Sequence, residues 1–226
     1  MTSCDIPTLE ITADVLLKAY SCGIFPMAES AEDPQLFWIE PQARGLLPLD
    51  RISIPKRLAR TIRNAPLDIR IDYDFDSVIE GCAEPVPGRM STWINDRIRS
   101  LYRDLFQMGF CHTVEVWSSD GRLVGGLYGV ALGGAFFGES MLSRERDTSK
   151  IALVYLCARL IHGGFVLLDT QFVTKHLRQF GAIEIDRAQF QKQLDRAMQT
   201  EGDFNRLPND APPHKILDII SASTLC

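Results

Sequence analysis

Apolar and polar positions alternate with two periods along this chain, and the switches between them mark its elements. Residues 11–22 place apolar side chains at helical spacing, with Thr12 or Asp14 able to cap the start. Gly23-Ile24-Phe25-Pro26 ends that helix. Leu36-Phe37-Trp38-Ile39 reads as a short strand stopped by Pro41, and residues 45–49 as another. Ser53-Ile54-Pro55 opens a helix, with proline favoured at a first turn. A strand is expected over residues 67–73, a helix over 75–82 and a Pro/Gly loop over 84–90. Residues 96–108 set Ile98, Leu101, Tyr102 and Leu105 on one helical face, and Gly109 stops them.

The second half shortens its period. Residues 113–117, 123–130 and 135–138 predict strands, joined by Ser119-Asp120-Gly121 and by Gly133-Gly134. Asp147 is placed to cap a helix over 148–162, which Gly163-Gly164 ends. A buried strand over 165–169, a helix over 174–180, a strand over 182–185 and a helix over 189–198 follow. The tail is polar and Pro-rich, then apolar again, with no element assigned. This is a mixed α/β (α+β) order. It predicts a small N-terminal α+β subdomain over residues 1–45 and a larger domain over 46–226 with a mixed central sheet. The larger domain has the order found in the Gcn5-related N-acyltransferase fold, an analogy that leaves function open.

Composition narrows the class. The 226 residues carry a net charge of −5, which disfavours a chain coated with basic residues for long nucleic acid but allows a local basic face. Lys56, Arg60 and Arg63 share one face of a predicted helix, the spacing of such a patch. The first residues lack a basic start followed by an apolar run, and no stretch is long enough to span a bilayer, so neither a secretory signal nor a membrane partner is expected. The six cysteines (Cys4, Cys22, Cys82, Cys111, Cys157, Cys226) form no CxxC pair and read as reduced thiols of a cytoplasmic protein. The four histidines lack ligand spacing, so no metal is expected.

Carboxylate and carboxamide chemistry at the ends of apolar runs stands out against this background. Glu139 follows a glycine-rich apolar hairpin, and Asp169 and Gln171 close the run that begins at Leu167. A carboxylate there must be paired or hydrogen-bonded, and strand ends of α/β sheets are where sites sit. Asp169 and Gln171 are expected to point the same way from an extended strand, with Asp169 orienting the Gln171 amide. The stretch Ser143-Arg144-Glu145-Arg146-Asp147-Thr148-Ser149-Lys150 lacks the glycines that cradle a pyrophosphate and holds two acids, so coenzyme A is a poor donor. No cofactor is expected.

Seven strings make the chain resemble the bacterial leucyl/phenylalanyl-tRNA–protein transferases: AYSCGIFPM, VIEGCAE, STWI, HTVEVW, LVGGLYGVALGGAFFGESMLSR, TSKIAL and LLDTQFVTKHLRQFGAIEI. They run in family order from about Tyr20 to Ile185, and together they are specific. The resemblance implies an aminoacyltransferase that moves Leu, also Phe, with Met a further candidate, from the 3′ end of aminoacyl-tRNA to proteins with N-terminal Arg or Lys. Such transfer marks the acceptor for degradation and needs neither metal nor CoA. It further implies that Asp169 and Gln171 are the catalytic Asp-x-Gln and Glu139 the pocket glutamate. Tyr20 and Trp93 would lie near the terminal adenosine. Leu127, Phe136, Ser140, Met141, Leu153, Leu156 and Leu168 would line the aminoacyl pocket, and Lys56, Arg57, Arg60 and Arg63 would meet the acceptor stem. Met27 stands where the family often has Trp, and Leu127, Leu156 and Leu142 replace familiar Met, Phe and Phe. Two rival readings stay open: an acyl-CoA N-acyltransferase, favoured by element order, and a non-catalytic binder of basic protein N-termini.

Overall fold

The computed structural model describes residues 11–86 and 90–224. Residues 1–10 of the expected N-terminal subdomain, with Cys4, residues 87–89 of the expected loop, and Cys226 lie outside these.

Helix α1 (Ala13–Ser21) starts where Thr12 accepts from the Val15 amide and ends at Gly23, whose φ of 80° suits only a residue without Cβ strain. Strands β1 (Phe25–Met27) and β2 (Phe37–Ile39) form an antiparallel ribbon, pairing Met27 with Phe37. Strand β3 (Ala43–Leu46) replaces the strand expected over 45–49. It joins the main sheet, so position 45, the expected domain limit, falls inside a strand. Helix α2 (Lys56–Asn64), β4 (Leu67–Ile71), α3 (Phe75–Ala83) and α4 (Asp96–Gln107) follow near their expected bounds. The α4 start is capped by Asn95, whose side chain accepts from the Ile98 amide.

The second half supplies β5 (Cys111–Ser118), β6 (Leu123–Leu132), β7 (Ala135–Ser143), α5 (Thr148–His162), β8 (Leu167–Gln171), α6 (Lys175–Arg178), β9 (Ile183–Asp186), α7 (Arg187–Met198) and α8 (Pro213–Ser223). The sequence predicts no element where helix α8 forms. Its Pro-rich lead and short apolar run look like a loop until Ile216, Leu217 and Ile220 find a surface to bury against. Asp147 occupies the expected position before α5 but does not cap it. Its φ is 66°, and its carboxylate turns to Lys150 (2.8 Å) and Arg57 (3.0 Å) instead.

The seven-stranded sheet runs β4-β5-β6-β7-β8-β3-β9. All pairs are antiparallel except β7–β8, which meets the expected mixed α/β class. Two apolar cores form on its faces. One gathers α2, α5 and α8 against Val114, Leu127, Phe136 and Leu168. The other gathers α1, α3, α4 and α7 against Tyr128, Val130 and Phe137. Two facts place the site between them. First, β7 pairs with β8 only through Ala135↔Leu167, Phe136↔Leu168 and Phe137↔Asp169, after which β8 turns to β3 and the two strands part. Second, β7 holds a bulge: Tyr128 faces Ser140 and Gly129 faces Gly138, leaving Glu139 as the extra residue.

Candidate active site

The bulge corrects the placement of Glu139. It stands in mid-strand rather than at a strand end, and the irregularity aims it toward α1 and α4. Its Oε1 accepts from the Tyr20 hydroxyl (2.7 Å) and from Gln171 Nε2 (3.1 Å), and its Oε2 accepts from the Tyr102 hydroxyl (2.8 Å). The two tyrosine hydroxyls also touch each other. Three oxygen–oxygen contacts then share the protons of the two phenols. Two protons serve two contacts, and a third, on Glu139 itself, would complete the ring. The Tyr20, Tyr102 and Gln171 donors favour the ionised carboxylate, and burial opposes them. Burial pushes the carboxyl from 4.5 to about 7, against the pull of the tyrosine and Gln171 donors. Both phenols are pushed well above their ordinary values, chiefly by burial and then by Glu139, so they act as donors.

Asp169 lies below this group and is fully buried. Its carboxylate receives a fork from Arg44: Nε at 3.0 and 3.1 Å and Nη2 at 2.5 Å. It also accepts the Gln171 backbone N–H at 2.8 Å. Burial pushes the Asp169 carboxyl upward, and the Arg44 fork opposes the push. This overturns one expected detail. Asp169 holds the backbone of Gln171, not its amide, because Gln171 adopts φ 59° and leaves the extended alternation. The amide swings across the gap to Glu139. Gly45, opposite Gln171, permits the tight turn: a Cβ there would sit 2.8 Å from the Phe172 carbonyl carbon and 2.9 Å from Thr170 Oγ1.

The apolar residues separate by face. Leu127, Phe136, Leu153, Leu156 and Leu168 are buried in the core beneath α5, with Met141 partly buried against it. Leu127 pairs with Met141 and Phe136 with Leu168. Tyr20 and Trp93 belong to the opposite core. Ser140 is partly exposed opposite Tyr128. The pairing of β7 with β8 ends at Phe137↔Asp169, and beyond it the Gln171–Glu139 hydrogen bond bridges the two strands.

The α2 residues Lys56, Arg57, Arg60 and Arg63 are all exposed. Arg57 differs from the others because Asp147 holds it at 3.0 Å. The same Asp147 binds Lys150 and faces Arg146 at 3.7 Å, so a carboxylate already meets the cations at the start of α5.

Two participants escaped the sequence reading. In the sequence Tyr102 reads as the core face of an amphipathic helix, and only its hydroxyl contact with Glu139 distinguishes it. Arg44 lies in a three-strand junction 125 positions from its partner, and no local signal announces such a pair. A lone Arg in the apolar setting Ala43-Arg44-Gly45-Leu46-Leu47 was the available clue.

Among the described residues no helix is long and apolar enough to cross a membrane. Two family models match the chain: "Leucyl/phenylalanyl-tRNA protein transferase" over residues 46–195 and the N-terminal domain of the same family over residues 10–42. Similar curated proteins carry the name leucyl/phenylalanyl-tRNA–protein transferase. One from Afipia carboxidovorans is 60% identical over 94% of this chain and 93% of its own length. One from Rhodopseudomonas palustris strain HaA2 is 58% identical over 98% and 100%. One from Caulobacter vibrioides strain NA1000 is 55% identical over 94% and 98%. With family models spanning most of its length and relatives above half identity across nearly all of it, the chain belongs to the leucyl/phenylalanyl-tRNA–protein transferase family.

Proposed function

We propose that this protein transfers leucine, also phenylalanine, with methionine a further candidate, from the 3′ end of aminoacyl-tRNA to the α-amine of proteins beginning with Arg or Lys, marking them for degradation. The observation that carries the reading is Glu139: a partly exposed carboxylate poised near neutrality and facing a carboxamide where two strands part.

An aminoacyl ester is already activated, so the enzyme must place the amine, remove its proton and guide the leaving oxygen. Placement can contribute roughly 7–11 kcal/mol in favourable cases. The α-ammonium has a pKa near 8, and Glu139 at about 7 is matched to accept its proton. Gln171 commits its NH₂ to Glu139, leaving Oε1 to accept from the amine and aim the lone pair. The neutral amine nitrogen bonds to the ester carbonyl carbon, the bond from that carbon to the ribose oxygen breaks, the proton held on Glu139 passes to that oxygen, and the proton the new amide nitrogen sheds returns to Glu139 and is released to solvent. The aminoacyl side chain enters the apolar set of Leu127, Phe136, Met141, Leu153, Leu156 and Leu168. Apolar pockets discriminate by only about 10–200-fold per methylene, which suits several donors. Tyr20, Trp93 and Ser140 border the ester and its adenosine, and Lys56, Arg60 and Arg63 meet acceptor-stem phosphates.

An acyl-CoA donor is disfavoured by Asp147, whose charge occupies the start of α5 where a pyrophosphate would need free donors. The deciding experiment incubates the protein with labelled Leu-tRNA and a peptide beginning with Arg or Lys. Leucyl-peptide formation is expected. Peptide binding without ester consumption would leave a non-catalytic binder, and transfer from acyl-CoA instead would replace the proposed donor.

A further inference from the structure

The largest fully buried side chain in the described structure is a charged one, Arg44, exposed to only 1%. Burying a guanidinium is costly, and hydrophobic replacements of buried ion pairs are often neutral or stabilising, so a stability role alone accounts poorly for it. Its contacts indicate another. Nη1 donates to the Gly23 carbonyl at 2.8 Å, while Nε and Nη2 fork onto Asp169. The guanidinium lies between two rings, 4.7 Å from the Phe25 centroid and 4.5 Å from that of Phe190. Both hydrogen-bonded ends lead to Glu139. Gly23 is tied by its own N–H to the Tyr20 carbonyl (2.9 Å), at the end of the helix that presents the Tyr20 hydroxyl. Asp169 is tied to the Gln171 N–H, in the left-handed residue that presents the amide.

We propose that Arg44 is a positioning residue that sets two of the three donors holding Glu139, Tyr20 through Gly23 and Gln171 through Asp169. Arg44 touches no reacting atom; it acts on transfer by fixing the donor geometry around the proton acceptor. This deepens the proposed transfer reaction and rests on it for its effect on rate, though not for its effect on Glu139 itself.

The groups facing Glu139 are Tyr20 from α1, Tyr102 from α4, Cys111 from β5, Tyr128 from β6, and Asp169 and Gln171 from β8. The tyrosine and Gln171 hydrogen bonds lower its carboxyl against burial, and Asp169 acts upward as the last of the causes. Removing Arg44 and Asp169 together deletes a net-neutral pair and with it the small upward push of Asp169, and the larger consequence is looser hydrogen bonding from Tyr20 and Gln171. The Glu139 midpoint should then rise.

The test uses the full chain with Arg44→Met/Asp169→Leu, which avoids an unpaired buried charge, and with Arg44→Lys, which keeps the charge but loses the fork. Glu139 is followed by NMR of protein labelled at glutamate Cδ, its signal assigned by loss in Glu139→Gln. In the double variant the midpoint is expected to rise by roughly half a pH unit or more. Transfer should fall in kcat by about 10–100-fold at unchanged KM for aminoacyl-tRNA. Arg44→Lys should shift the midpoint the same way, by less. An unchanged midpoint in either folded variant overturns the proposal, whatever the rate. A shifted midpoint in a protein whose wild type transfers no leucine upholds the positioning role and removes the transfer reading instead.

Discussion

At the scale of single residues, Glu139 decides how the site responds to pH. Its carboxyl is raised from 4.5 to about 7, so the folded protein binds an extra proton relative to the unfolded chain between those values. Stability contributed by this group is thus greatest at the acidic end of the window and declines as pH rises through about 7. Transfer should run the other way, because the base must be ionised. Glu139→Gln is expected to lower kcat by about 10²-fold or more and to flatten the rise of rate through neutrality. A pH–rate profile of both proteins checks this, and thermal unfolding at acidic and alkaline pH checks the stability sign. Glu139, Asp169 and Gln171 were legible in the sequence because polar groups inside apolar runs need a reason. Their connections were not. Whether Asp169 meets the amide or the backbone of Gln171 depends on one dihedral, φ 59°, set by a strand that arrives from residues 43–46.

At the scale of elements, the bulge in β7 is the device that aims Glu139. It depends on Gly129, where a Cβ would lie 2.3 Å from the Phe137 carbonyl oxygen and 2.4 Å from the Phe136 ring. Gly129→Ala should straighten or displace the bulge, costing about 1–3 kcal/mol of stability and lowering transfer beyond the loss of folded protein. Denaturant unfolding together with kcat measured on the folded fraction separates the two effects. Helix α2 offers a second case. Lys56, Arg60 and Arg63 are exposed, and among the described residues no carboxylate holds them as Asp147 holds Arg57. Charge reversal at Arg60 and Arg63 should raise the KM for aminoacyl-tRNA, and each lost phosphate contact should reduce the salt slope by roughly 0.7–0.9. An Arg57→Gln variant should change the slope less, since Asp147 already offsets that charge. Helical spacing showed which side chains share a face, but the pairing of Arg57 needed the turn before α5 to arrive beside α2.

At the scale of the whole molecule, α8 closes the core that contains the proposed aminoacyl pocket. It lies beyond residue 195, where the main family match ends, and packs on α5 and α2 through Ile216, Leu217 and Ile220. Its last turn reaches back to the β3–α2 connection, where Ser223 Oγ donates to the Leu49 carbonyl at 3.2 Å. Leu217→Ala should cost about 2–4 kcal/mol, lowering Tm by about 5 °C or more for a chain of this size. Because α8 braces α2, weaker aminoacyl-tRNA binding should accompany the loss, measurable by filter binding below the new Tm.

The sequence by itself determined the order and type of nearly every element, and the three polar residues that break the apolar runs. Those features are local, set by periodicity, capping and the cost of burying charge. Only the tertiary structure decided that β7 and β8 part beyond Phe137 and Asp169, that Glu139 stands on a bulge between two tyrosines, and that Arg44 lies beneath Asp169. Those depend on strands and helices distant in sequence meeting at fixed register. A pattern confined to one segment carries no information about which other segment will complete its hydrogen bonds.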